Sequence, residues 1–138
     1  MPELNFSIFM KTILIADDDP MMAKLLEFNL RKAGYTVLVC REGLSVCERA
    51  RTEHPDLIML DVMLPGRTGL ELVHDIKADP ALMAIPVVIV TSEGKGSTQD
   101  ELLAAGAANV YTKPFSPTML LERVRQLLGE TSASTAKK

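Results

Sequence analysis

The sequence has few cysteines, no excess of positive charge and no long uncharged apolar run. Its 15 Lys and Arg are outnumbered by 18 Asp and Glu, which gives a formal net charge of −3. The sequence therefore has no basic face that would predict binding to nucleic acid. It also has no apolar segment long enough to predict a membrane span. The N-terminus lacks the basic and apolar regions of a secretion signal, and Cys40 and Cys47 lack the spacing of a metal or redox motif. We therefore expect a cytoplasmic protein with reduced cysteines.

The 138 residues are enough for one domain with a single core. We expect this domain over residues 11–129, because Met10 would be a natural start for a chain that opens directly with a strand. Residues 1–10 would then be a poorly ordered extension, and the small polar residues 130–138 predict a flexible tail. An extra strand in the extension is an alternative, because three apolar residues alternate there: Leu4, Phe6 and Ile8.

Four short apolar runs each end on residues suited to handling a phosphoryl group. They are Thr12–Ala16 before Asp17, Asp18 and Asp19; Asp56–Leu60 before Asp61; Pro86–Val90 before Thr91 and Ser92; and Asn109–Thr112 before Lys113. Such runs between helical stretches are typical of buried parallel strands, and a further strand is predicted at Thr36–Cys40. Ligands bind outside the carboxyl ends of the strands in an open α/β sheet, so these polar groups should meet in one crevice.

Capping residues predict a helix after each strand. Helix starts are predicted at Asp19-Pro20, near Gly43 or Leu44, and at Thr68, Thr98 and Ser116. Helix ends are predicted at Gly34, before Pro55, near Ala78, at Gly106 and at Gly129. The buried face of the first helix is predicted from its apolar stripe, Met22, Leu25, Leu26 and Leu30.

Five β/α units in succession predict an α/β fold with a parallel sheet and helices on both faces. We expect the flavodoxin-like strand order 2-1-3-4-5, whose switch point lies between the first and third strands. Asp17, Asp18 and Asp61 would converge at that switch point. The predicted chemistry and the predicted topology therefore agree.

The crowded carboxylates predict a divalent cation, because they would repel each other without one. Oxygen ligands favour Mg²⁺, with Mn²⁺ as an alternative. Asp18 and Asp61 would be direct ligands, and Asp17 would act through a water molecule. The backbone carbonyl of Met63 could complete the protein's share of the ligands.

Asp61 is the predicted nucleophile, since a carboxylate with an unperturbed pKa of about 4 is ionised at neutral pH. It could attack phosphorus in line and form an aspartyl phosphate. The metal and the Lys113 ammonium would offset charge on the phosphoryl oxygens, and the Thr91 hydroxyl would donate a hydrogen bond to the product.

From about Lys11 to Leu128 the chain resembles a bacterial response-regulator receiver domain, of the single-domain kind found in chemotaxis. The motifs that carry the resemblance are ILIADDDP at 13–20, PDLIMLDVMLPG at 55–66, Thr91-Ser92, and TKPF at 112–115. The resemblance implies that Asp61 is the phosphoacceptor and that Asp17 and Asp18 are the acidic metal pair. It also implies that Thr91 is the switch hydroxyl and that Lys113 pairs with the phosphate, next to a cis bond to Pro114.

The same resemblance implies the partners. The phosphodonor would be a phosphohistidine on a sensor histidine kinase or a histidine phosphotransfer protein. Phosphate at Asp61 would change the binding of a downstream protein to the face formed by the fourth helix, fifth strand and fifth helix. The chain would then be a regulator that catalyses only its own phosphorylation and dephosphorylation. The polar tail slightly favours a stand-alone regulator or phosphorelay receiver over a piece of a larger protein.

One position departs from the family pattern. Many receivers have an aromatic residue three positions before the motif lysine, where this chain has Val110. Tyr111 follows directly, but neighbours along a strand point to opposite faces, so Tyr111 cannot simply replace the missing ring. A receiver-like docking module that is never phosphorylated therefore remains an alternative, although the intact acidic residues and lysine argue against it.

Two enzyme-like or ligand-binding classes are less well supported. An aspartate-nucleophile phosphohydrolase typically has a second aspartate two residues after the first, where this chain has Met63. A flavodoxin-like binder of a flavin or nucleotide would need a phosphate loop rich in Ser, Thr or Gly, which three aspartates replace here. We expect His54 and His74 to be solvent-facing helix residues and not phosphate carriers.

Overall fold

Five short strands alternate with five α-helices in the computed structural model, which describes residues 11–62, 64–92, 98–113 and 115–129. The strands are β1 Thr12–Ala16, β2 Thr36–Cys40, β3 Leu57–Leu60, β4 Val87–Ser92 and β5 Asn109–Lys113. The helices are α1 Pro20–Lys32, α2 Val46–Glu53, α3 Gly69–Ala78, α4 Gln99–Ala105 and α5 Pro117–Leu127. A 3-10 turn at Gly43–Ser45 precedes α2, near the helix start that the sequence predicts.

Several predictions from the sequence fall outside the described residues. These are the extension at 1–10, the tail at 130–138, the Met63 carbonyl as a metal ligand, and the cis bond to Pro114. The boundaries of the domain at 11 and 129 accordingly stay predictions.

The five strands form one parallel sheet in the order β2-β1-β3-β4-β5, which confirms the predicted topology. At the end of β1, Ala16 pairs with Cys40 of β2 and with Leu60 of β3. The residues that follow β1 and β3 therefore leave the sheet side by side. Because all strands run in the same direction, the carboxyl ends of β4 and β5 lie at the same edge.

Alternation along the central strands divides the core into two layers. Ile13 and Ile15 pack with α1 and α5, whereas Leu14 and Ala16 pack with α2, α3 and α4. All four side chains are almost completely buried. The β1 strand is therefore covered on both faces up to its carboxyl end.

The capping residues that predict the helix starts form the expected hydrogen bonds. Asp19 caps α1 by accepting the N–H of Met21 at 3.0 Å, with Pro20 at the first helical position. Thr68 and Thr98 both form complete capping boxes with the glutamate three residues later. These caps confirm the predicted starts of α1, α3 and α4.

The predicted buried stripe of α1 is wrong at one residue. Leu25 is 44% exposed, and Ala23 is buried in its place together with Leu26 and Leu30. Adjacent helical residues differ by about 100° around the axis, so a stripe centred on Leu26 and Leu30 turns Leu25 toward solvent. His74 lies exposed on α3, as expected. His54 is exposed as expected, but it caps the end of α2 in the left-handed conformation and is not a helix residue.

No helix in the described ranges is long and apolar enough to cross a membrane.

Candidate functional site

Three carboxylates meet where β1 and β3 end. Asp17 and Asp18 follow β1, and Asp61 follows β3 with its N–H donating to the carbonyl of Ala16 at 2.9 Å. One carboxylate oxygen from each aspartate lies within 4.8 Å of the other two. The predicted convergence is therefore confirmed. Asp17 is buried, whereas Asp18 is exposed at the mouth of the crevice.

Lys113 brings a positive charge into this crevice from the end of β5. Its Nζ lies 3.7 Å from Oδ2 of Asp17 and 3.8 Å from Oδ2 of Asp61. Only 17% of the lysine side chain is exposed. The ammonium is thus shared between two carboxylates, one of which is the predicted phosphoacceptor.

Asp17 is held in place by its own turn and by its burial. Its Oδ1 accepts the N–H of Asp19 at 2.9 Å. Burial raises the pKa of Asp17 above the ordinary value, an effect that the Asp19 N–H and the Lys113 ammonium oppose and that the Asp61 carboxylate reinforces. With Lys113 as the neighbouring positive charge, it costs free energy to keep all three carboxylates ionised. The arrangement therefore favours the binding of a further cation.

Thr91 completes the set of predicted side chains at this edge of the sheet. It lies near the carboxyl end of β4, which separates β3 from β5, and it is 6% exposed. Its position on the strand between those of Asp61 and Lys113 agrees with the predicted crevice. Its pairing partner on β5 is Thr112.

Val110, which stands where many receivers have an aromatic residue, and its neighbour Tyr111 face opposite layers of the core. Val110 packs against the layer that contains α2, α3 and α4, whereas Tyr111 packs against the layer that contains α1 and α5. This confirms that the Tyr111 ring does not lie where an aromatic residue at 110 would lie. The α4 side of β5 therefore has no aromatic ring at either position.

Gly69 is a positioning residue that the sequence analysis did not identify. Its N–H donates to the carbonyl of Val62 at 2.7 Å, at the start of α3. A Cβ atom on Gly69 would lie 2.8 Å from Cα of Val62 and 3.3 Å from the carbonyl oxygen of Asp61. The only signal in the sequence is a glycine at a first helical position, where proline is more usual.

We expect Gly69→Ala to lower the free energy of unfolding by about 1–3 kcal/mol, because the new methyl group meets backbone that cannot move aside cheaply. Urea denaturation measures this difference. Gly129→Ala is the control, since its Cβ would meet nothing within 4 Å and its φ of +73° alone costs about 1 kcal/mol. A Gly69→Ala variant that unfolds at the same urea concentration as the native chain would show that the close approach at Gly69 has no energetic weight.

Comparison with known proteins identifies this arrangement. The family model of the response regulator receiver domain matches residues 13–125. The phosphate regulon transcriptional regulatory protein PhoB of Pseudomonas aeruginosa is 36% identical over 121 residues, which are 88% of this chain and 53% of that protein. The chain spans about half the length of the curated relatives that it matches.

Solved structures agree with the sequence comparison. A putative response regulator from Chloroflexus aurantiacus superposes with a TM-score of 0.82 at 34% identity, covering 87% of this chain and 98% of that one. The receiver domain of the sensor histidine kinase PA1611 of Pseudomonas aeruginosa, with magnesium coordinated in its active-site cleft, superposes with a TM-score of 0.79 at 25% identity. That match covers 87% of this chain and 98% of the other.

Proposed function

Because this chain belongs to the response-regulator receiver family of phosphorylation-controlled signalling domains, we propose that its Asp61 accepts a phosphoryl group from a phosphohistidine in a Mg²⁺-dependent reaction. The observation that carries the proposal is the juxtaposition of three carboxylates with one ammonium group. Asp61 supplies the nucleophile, Asp17 and Asp18 supply charge for a metal ion, and Lys113 supplies charge for the phosphoryl oxygens.

The acidic residues fit a magnesium ion. Magnesium–oxygen distances are about 2.1 Å, so two oxygens on one ion lie at most about 4.2 Å apart. The three carboxylate oxygens lie within 4.8 Å of one another, which is close to that limit. Asp18 and Asp61 would be direct ligands, and the buried Asp17 would act through a water molecule. The bound ion would offset negative charge on the phosphoryl oxygens.

Asp61 is suited to attack because its carboxylate needs no general base at neutral pH. One Oδ atom forms the new bond to phosphorus as the P–N bond of the phosphohistidine breaks. The electron pair of that bond returns to the imidazole, which leaves neutral if its ring was protonated. Lys113, less than 4 Å from Asp61 Oδ2, would stabilise the charge on the equatorial oxygens, and Thr91 would donate its hydroxyl to the product.

Members of this family interact with histidine kinases and with downstream effectors. For this chain we propose a sensor histidine kinase or histidine phosphotransfer protein as the donor. The proposed output is a protein that binds the face of α4, β5 and α5 when Asp61 is phosphorylated. A cytoplasmic site of action fits Cys40 and Cys47, neither of which forms a disulfide.

The first test is incubation with acetyl phosphate and Mg²⁺, followed by intact mass and peptide mapping. We expect one phosphoryl adduct, on the peptide that contains Asp61, and no adduct when EDTA replaces Mg²⁺. An unrelated receiver domain that labels under the same conditions is the positive control. If only the control labels, phosphorylation is contradicted and the constitutive docking module, which Val110 favours, replaces it.

A further inference from the structure

The start of α4 is tied to the end of β5 by a side-chain hydrogen bond. Nε2 of Gln99, the first residue of α4, donates to Oγ1 of Thr112 at 3.1 Å. Of the seven residues of this short helix, only Leu102 is buried. A helix with so little buried apolar surface is held weakly, so one hydrogen bond at its first residue has a large influence on its position.

Thr112 neighbours two residues of the proposed reaction centre, one along the chain and one on the adjacent strand. It directly precedes Lys113, whose Nζ is shared between Asp17 and Asp61. Across the sheet it pairs with Thr91, and paired residues of parallel strands present their side chains on the same face. Thr112 is therefore the chain neighbour of the residue that would pair with a phosphate, and its hydroxyl lies on the same face of the sheet as the hydroxyl that would bind it.

The same face of β5 carries Val110, so β5, all of which the structure describes, has no aromatic ring facing α4. At the end of that face, the hydrogen bond from the Gln99 amide to the Thr112 hydroxyl joins β5 to α4 instead. While it is formed, this bond ties the first residue of α4 to the end of β5.

We infer that the Gln99–Thr112 hydrogen bond couples the position of α4 to the charge on Asp61. Phosphorylation adds negative charge at Asp61 and draws Lys113 away from its shared position between two carboxylates. Thr112 moves with its neighbour in the strand, and the bond to Gln99 carries that movement to the helix. The inference rests on the proposed function, since it needs a phosphoryl group on Asp61.

The test compares Gln99→Met and Thr112→Val, which remove the amide and the hydroxyl while keeping similar shapes, with the double variant. Asp100→Asn, at an exposed position on the same turn of α4, is the matched control. Each protein is treated with acetyl phosphate and Mg²⁺, and intact mass establishes the extent of phosphorylation. Hydrogen–deuterium exchange then measures the α4 amides with and without the donor.

We expect full phosphorylation of every variant and a phosphorylation-dependent change in α4 exchange in the native chain and in Asp100→Asn. In both single variants that change should fall to less than half, and the double variant should lose no more than either single one. Without donor, exchange at the start of α4 should be about fivefold faster once the bond is removed.

Two results would overturn the coupling while leaving the proposed function intact. One is a native-sized change in α4 in both phosphorylated single variants. The other is a native α4 whose exchange does not respond to phosphorylation at all. A native chain that acquires no adduct contradicts the proposed function, and the coupling that rests on it is lost with it.

Discussion

Asp61→Asn is expected to form no phosphoryl adduct at any acetyl phosphate concentration that labels the native chain completely. The amide of asparagine is not ionised at neutral pH, so it cannot serve as the nucleophile that an aspartate provides. Its shape is nearly that of aspartate, and the Asp61 side chain is only 12% exposed, so the packing around it should be retained. Intact mass measured over a series of donor concentrations gives the result directly.

Two controls separate a chemical loss from a folding defect. Replacing one of three crowded carboxylates relieves repulsion, so in EDTA the asparagine variant should unfold at no lower urea concentration than the native chain. Asp56→Asn changes an aspartate at the other end of β3, which accepts the N–H of Thr12 at 2.8 Å. That variant should be labelled at the native rate. Native-level labelling of Asp61→Asn would place the phosphoryl group on a different residue.

Much of the fold can be predicted because its local signals agree with its tertiary contacts. The limits of β1 and β2 coincide with the apolar runs that predict them. The fourth strand begins at Val87, one residue later than predicted, and it continues through Thr91 and Ser92, beyond the predicted end at Val90. Those two polar residues stay in the ladder because β5 pairs with them, which is a property of the neighbouring strand and not of the local sequence.

The convergence of the acidic residues is predictable for a related reason. Once the strands are known to be parallel, the residues after each strand must share one edge, so Asp17, Asp61 and Lys113 come together without any knowledge of side-chain packing. The strand order then places the two strands that end in aspartates next to each other. The site could therefore be located from the predicted strands and their order, together with the polar residues that follow each strand.

Other features depend on how helices sit on the sheet. The exposure of Leu25 follows from the rotation of α1 about its own axis. The four apolar residues of the predicted stripe do not determine that rotation. The approach of Gly69 to the Asp61–Val62 backbone depends on the angle at which α3 leaves the sheet. The bond between Gln99 and Thr112 joins residues 13 positions apart, and no spacing rule links them.

Lys113→Met is expected to slow phosphorylation by acetyl phosphate about 30-fold at saturating Mg²⁺. A unit charge about 4 Å from another in a partly solvated site interacts by at most about 4 kcal/mol. Because only part of that charge develops in the transition state and water screens it, about 2 kcal/mol is a reasonable loss, which corresponds to roughly 30-fold in rate. The rate of adduct formation, followed by intact mass, measures it.

The affinity for Mg²⁺ should change in the opposite direction, and this distinguishes a lost charge from a damaged site. Lys113 Nζ lies within 4 Å of two of the three carboxylates, so its removal leaves them more strongly negative and should tighten metal binding. Lys113→Arg keeps the charge and should retain native affinity for Mg²⁺, as measured by calorimetry. If Lys113→Met binds Mg²⁺ more tightly and is nevertheless labelled at the native rate, the lysine only balances the resting carboxylates and does not assist the transfer.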